Sequence, residues 1–215
     1  MTGLAQLERE ALASTLADVG PDAPTLCSPW HTRDLAAHLV VRERRPDALP
    51  GVLMPALAEH TQRVQDSYAA QEWPALVDMV REGPPGWNPT RVPAVDDAIN
   101  LAEFFVHHED VLRAAPDWTP DRARTIDDDV QAALWTRLKQ AGQLIFRRSP
   151  VGVVLLSADH GRHSVKGPTK KGTVVLEGRP SELVLFAFGR GEVADLQYQG
   201  TEEAVADIRN AEFGV

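Results

Sequence analysis

The feature that most constrains the fold is a change of hydrophobic period near residue 150. Before it the apolar residues recur at helical spacing, and after it they gather in short runs bounded by turn residues, as strands do. Residues 3–18 set Leu4, Leu7, Leu12 and Leu16 near one face, and Gly20 and Pro21 stop the pattern. A second helix is predicted over 31–45, with Thr32 as its cap, Leu35, Leu39 and Val40 as its stripe, His38 at the stripe's edge and Pro46 as its stop. Arg42, Arg44 and Arg45 suit its negative C-terminal end. Pro55 and Pro74 split the next stretch into helices over about 56–70 and 73–81. EGPPGWNPTRVP then reads as a loop, and a long helix runs from about 95 to 115, ended by Pro116. A further helix lies within 120–146, with Val130, Leu134, Leu138 and Leu144 or Ile145 facing inward. Its Asp127, Asp128 and Asp129 read as favourable N-terminal charges rather than a metal cluster.

Beyond residue 150, strands are predicted at VGVVLLSA, HSVKG, TVVLEG and ADLQYQG, and helices at PSELVLFAFGR and TEEAVADIRNAEF. All five Trp precede residue 136, and most of the acid excess precedes residue 150. These shifts predict an α+β protein with a helical domain over 1–149 and a small α+β domain over 150–215.

A net charge of −9 without any run of Lys and Arg argues against a nucleic-acid partner and suits a small-molecule substrate. The single Cys27 cannot form an intramolecular disulfide, and its loop offers no flanking base to activate it. The N-terminus lacks a basic start followed by an apolar core, and no apolar stretch approaches the roughly 18 residues that span a bilayer. A cytoplasmic protein without a membrane partner is the expectation.

The stretch INLAEFFVHHEDVLR, residues 99–113, carries the candidate chemistry. At about 100° per residue, Glu103 and His107 lie about 40° apart in azimuth and ~6 Å apart along the axis, so both reach one point. Asp96, Asn100, Glu103, His107 and Asp110 share one sector, flanked on both sides by apolar residues, while Glu109 and Arg113 form a second polar edge. Spacing alone leaves that sector open between a hydrated face and a divalent metal. His108 points into the apolar arc and reads as a core histidine, with a reserve role as ligand. His38 gains interest only in combination with the long helix. One His from one helix and a Glu, His pair from another would leave a coordination position open, as catalytic zinc requires.

Other motifs fall short. GPTKKGT has Walker-like glycines, but Thr173 directly follows Gly172 where the phosphate-binding Lys belongs, so it reads as a basic turn. Ser157, Asp159, His160 and His163 sit too close together on one hairpin for triad geometry.

Two segments, WHTRDLAAHLVVRE at 30–43 and EFFVHHEDV at 103–111, followed by a C-terminal GRPSELVLFAFGR, resemble the DinB-like, mycothiol-dependent maleylpyruvate isomerase family of actinobacteria. The resemblance implies an N-terminal four-helix bundle and, position by position, metal ligands at His38, Glu103 and His107. It further implies that Asp110 orients the histidine from behind, and that Arg190 serves as an anion clamp. His108 and Glu109 replace a small and an aromatic residue common in the isomerases, which points to a separate actinobacterial metal-binding subgroup. The implied activity is that of a thiol transferase or isomerase in which Zn²⁺ activates a low-molecular-weight thiol, mycothiol among them, for attack on a small electrophile. A metal-hydroxide hydrolase and a non-catalytic ligand-binding module are the alternatives.

Overall fold

Proline and glycine punctuate the chain where the helices begin and end. In the computed structural model, which describes residues 3–48, 54, 58–211 and 213, helix α1 (Leu4–Val19) closes at Gly20 with φ +81°. Helix α4 (Trp73–Glu82) has Pro at its start and closes at Gly83 with φ +74°. Helix α2 (Thr32–Arg44) starts one residue earlier than the Thr32 cap predicted. His31 holds the cap position, where its N–H donates to the Asp34 carboxylate, and the Thr32 hydroxyl instead donates to Gly20 O at 2.6 Å. Helix α3 (Ala58–Ala69) lies within the predicted 56–70 segment, whose first two residues fall outside those described. Helix α5 (Pro93–Leu112) has proline at its first turn and Asp96 at its positive end.

The chain divides into two compact units, Met1–Thr119 and Pro120–Val215. In the first, α1 packs along α5 and against α4, while α2 packs on α3 and α4. Leu12, Leu16, Leu35, Leu39, Leu76, Leu101, Phe104 and Phe105 are fully buried. Each such burial stabilises by roughly 1.5–3 kcal/mol, enough to hold α5 in place although it also buries several polar side chains. The loop between α1 and α2 is pinned to α5 by Leu26 N–H on Asp110 O at 3.0 Å, and is braced internally by the Thr25 hydroxyl on Trp30 O at 2.8 Å.

The second unit holds α6 (Asp128–Ile145), β1 (Gly152–Ser157), β2 (Gly161–Lys166), β3 (Thr173–Glu177), α7 (Pro180–Ala187), β4 (Gln197–Gln199) and α8 (Glu202–Arg209). The sheet order is β2-β1-β3-β4, with β1 parallel to β3 and the outer pairs antiparallel. Together the units make the α+β protein the sequence predicts. The division, however, falls at 119/120 and not at 149/150, because α6 belongs with the sheet. Leu134, Trp135 and Leu138 bury its inner face, and Gly142 approaches Val165 so closely that a Cβ there would stand 2.4 Å from Cγ1. Gln131 exchanges two hydrogen bonds with Ser181 at the start of α7. Of the pair Leu144 or Ile145 expected to face inward, Ile145 is half-buried and Leu144 is 61% exposed. No helix among the described residues is long and apolar enough to cross a membrane.

Candidate metal centre

The polar sector of α5 is not a hydrated face. Asp96, Asn100, His107 and Asp110 are all buried, and only Glu103 keeps partial access, with 29% of its side chain exposed. The second polar edge is buried as well: Arg113 Nε donates to Glu109 Oε2 at 2.6 Å and its guanidinium lies over the Trp118 ring. What faces the sector is α2, whose His38 and Arg42 stand one turn apart.

His38 and His107 meet edge to face with ring centroids 5.5 Å apart, so the two helices pack in the register that brings the imidazoles together. His107 Nε2 stands 3.5 Å from Glu103 Oε2. That is long for a good hydrogen bond, but close to the ~3.3 Å that separates two ligand atoms sharing a tetrahedral cation at about 2.0–2.1 Å each. His107 Nδ1 lies 3.0 Å from Asp110 Oδ2, and Asp110 is wholly buried. An Nδ1 proton donated to that carboxylate leaves the Nε2 lone pair facing Glu103, which is how outer carboxylates fix the tautomer of a metal-binding histidine. Trp30 also packs on His38, tilted by 43° with centroids 5.1 Å apart.

The electrostatics favour a neutral histidine beside an ionised carboxylate. Burial, aided by the charge of His107, lowers His38 to about 4, so it is unprotonated at neutral pH. Burial pushes the Glu103 carboxyl upward, but the hydrogen bond from His107 and the charges of Arg42, His107 and His38 together hold it at about 2. His107 is opposed by burial and yet raised well above its ordinary value by its contacts with Asp110, Cys27 and Glu103. Without a cation, His107 is therefore the group that answers the two carboxylates with a proton.

His108, one residue along, faces α1 instead. Its Nδ1 lies 2.8 Å from Glu8 Oε1 and its Nε2 2.9 Å from Thr15 Oγ1, so protein partners occupy both ring nitrogens. No lone pair remains for the reserve role. Arg190 follows α7 in the second unit, half-buried, with its guanidinium donating to Phe188 O.

One residue near the centre escapes sequence reasoning. Cys27 donates its S–H to Asp110 Oδ2 at 3.0 Å, and its Sγ stands 4.0 Å from His107 Nδ1. Cys27, His107 and Asp110 are the one group among the described residues whose donor atoms all lie within 4.8 Å of one another. These atoms already satisfy one another as hydrogen bonds, and a cation there would have to displace both protons. No signal in the local sequence marks Cys27, because its partners lie some eighty residues along the chain.

No protein-family model matches the chain, and no curated protein matches it. Among solved structures it is similar to the mycothiol-dependent maleylpyruvate isomerase, with a TM-score of 0.59 at 17% identity over 93% of this chain and 92% of that one. It is likewise similar to a histidine-to-alanine mutant of that isomerase, with a TM-score of 0.58 at 15% identity over the same shares of the two chains. The protein thus shares its fold with the mycothiol-dependent maleylpyruvate isomerase.

Proposed function

We propose that the protein is a metal-dependent enzyme acting on a small electrophilic substrate, with His38, Glu103 and His107 holding a divalent cation, Zn²⁺ in the first instance. The observation that carries this reading is the placement of His107: Asp110 holds its Nδ1, and its Nε2 stands 3.5 Å from Glu103 beside the unprotonated His38. Two nitrogens and a carboxylate make a donor set that zinc takes in catalytic sites and that leaves a position open. The bound cation would lower the pKa of a low-molecular-weight thiol, mycothiol being the co-substrate suggested by the shared fold, and keep it as the thiolate. The chain's own residues do the rest. Asp110 and Cys27 keep His107 in one tautomer, Trp30 screens His38 from water on one side, and partly exposed Glu103 and Arg42 mark where reactants enter.

Metal analysis of the purified chain beside H38A and E103A tests the ligand set. The expected result is stoichiometric metal in the parent and little in either variant, and full occupancy in both variants would sink the assignment. Calorimetric titration with mycothiol then separates thiol chemistry from hydrolysis by activated water: heat that depends on the metal supports the first and its absence the second. Turnover screening with electrophiles and thiol conjugates tests the non-catalytic alternative.

A further inference from the structure

Arg42 is held in the fold more firmly than its attraction to Glu103 and its place near the end of α2 require. It stands one turn after His38 on α2, and its Nη1 donates to Asn100 Oδ1 at 2.5 Å. Asn100 is itself immobilised: its amide donates to Asp96 Oδ1 at 2.7 Å, and Asp96 lies 3.4 Å from the buried guanidinium of Arg9. Asn100 and Asp96 are 2% and 4% exposed. One edge of the Arg42 guanidinium is therefore held from behind by a dry relay of side chains, while 22% of the side chain remains open to solvent.

The contact with Glu103 is weaker than the charges would permit. Arg42 Nη2 stops 3.6 Å from Glu103 Oε1, outside hydrogen-bond range, so the pair is attracted without being bonded. A guanidinium carries five N–H donors, and a fork oriented from one side matches a carboxylate at little further entropic cost. The need for such a group is local. A chain with net charge −9 repels anionic reactants at long range, and a fixed guanidinium beside the site offsets that repulsion locally.

Resting on the metal-centre reading above, we propose that Arg42 is a specificity-determining residue that binds a carboxylate of the reactant beside the position bounded by His38, Glu103 and His107. The relay from Arg9 through Asp96 and Asn100 sets the direction of the fork. Arg42 takes no part in bond making, and it selects anionic over neutral reactants of the same shape.

The test uses succinate and its uncharged analogue succinamide, titrated calorimetrically into the metal-loaded full chain as parent, R42K and R42Q, with metal content measured in each. The parent is expected to bind succinate in preference to succinamide. In R42Q succinate affinity falls roughly tenfold, as for loss of a hydrogen bond to a charged group, while succinamide affinity and metal content stay unchanged; R42K retains part of the preference. Equal affinity of the parent for both probes would overturn the proposal. So would an R42Q chain that loses metal and both probes together, since Arg42 would then act only through Glu103. A parent chain that holds no metal defeats the metal reading alone, and the same comparison of the probes on the metal-free parent and R42Q then decides the role of Arg42.

Discussion

The two halves of α5 bury the same kinds of side chain and use them in opposite ways. In the N-terminal half, Arg9 is 1% exposed and enclosed on every side: it pairs with Glu43 at 2.5 Å and with Asp96 at 3.4 Å, and lies over the Phe104 ring at 4.6 Å. Gly83 leaves room for it, because a Cβ there would stand 1.9 Å from Arg9 Nη1. The charges of this half are paired within the protein, although the buried Arg9 Nε makes no hydrogen bond and burial still raises the Glu43 carboxyl to about 7. In the C-terminal half, His38 and His107 meet face to edge beside Glu103, and the 3.5 Å between His107 Nε2 and Glu103 Oε2 is looser than the contacts around Arg9. A closed network stabilises the structure it sits in, whereas an open one leaves donors that a ligand can complete.

The largest expected effect breaks the closed half. Arg9→Ala leaves Glu43 and Asp96 buried beside each other without a cation, and should cost about 3–5 kcal/mol in denaturant unfolding. Replacing Arg9, Glu43 and Asp96 together by Met, Leu and Leu should cost far less than Arg9→Ala alone; if the triple variant is as unstable, the loss is one of packing and not of charge pairing.

Next in size is a change behind the open half. Asp110→Asn keeps the shape but removes the carboxylate that orients His107, and metal affinity should fall about 10–100-fold with little change in fold. Undiminished affinity, measured by chelator competition, would separate Asp110 from the proposed metal centre. His108→Leu sharpens the contrast between the neighbouring histidines. It removes the imidazole that Glu8 and Thr15 hydrogen-bond and should cost about 1–3 kcal/mol of stability while leaving metal affinity untouched, so a variant that lost metal would reverse the roles of His107 and His108.

The smallest effects are in the pH dependence of the metal-free chain, where the two halves carry opposite signs. Burial lowers His38 from 6.5 to about 4, so its contribution is present above pH 6.5 and is lost as pH falls toward 4. Burial, only partly offset by Arg9, raises Glu43 from 4.5 to about 7, so its contribution is present below pH 4.5 and is lost as pH rises through about 7. Side-chain NMR titrations should place His38 as the more acidic of the two groups. The reverse order would remove the distinction drawn between the halves.

Much of this was legible along the chain. The helical spacing before residue 150, the short runs after it and the Pro and Gly punctuation anticipate all four strands and the order of the helices, because these signals act over one or two turns. The polar sector of α5 was visible for the same reason: 100° per residue is a property of the helix itself. Local signals failed where a distant partner competed. Thr32 lost the cap position because its hydroxyl found Gly20 O, and α6 joined the second unit because Gly142 let it settle on Val165.

Helical spacing along the chain is enough to say which residues share a face of α5, and that Glu103 and His107 reach one point. What that face meets was settled by how the helices pack. That packing set α2 against it in the register that brings His38 to His107, drew Cys27 to Asp110 across eighty residues, and turned His108 toward Glu8. The physical reason is that helix periodicity fixes direction about one axis alone, while the choice between water, metal and protein as partner depends on how two helices slide and rotate against each other. That choice is made by the burial of side chains such as Leu35, Leu39, Phe104 and Phe105, which carry none of the chemistry.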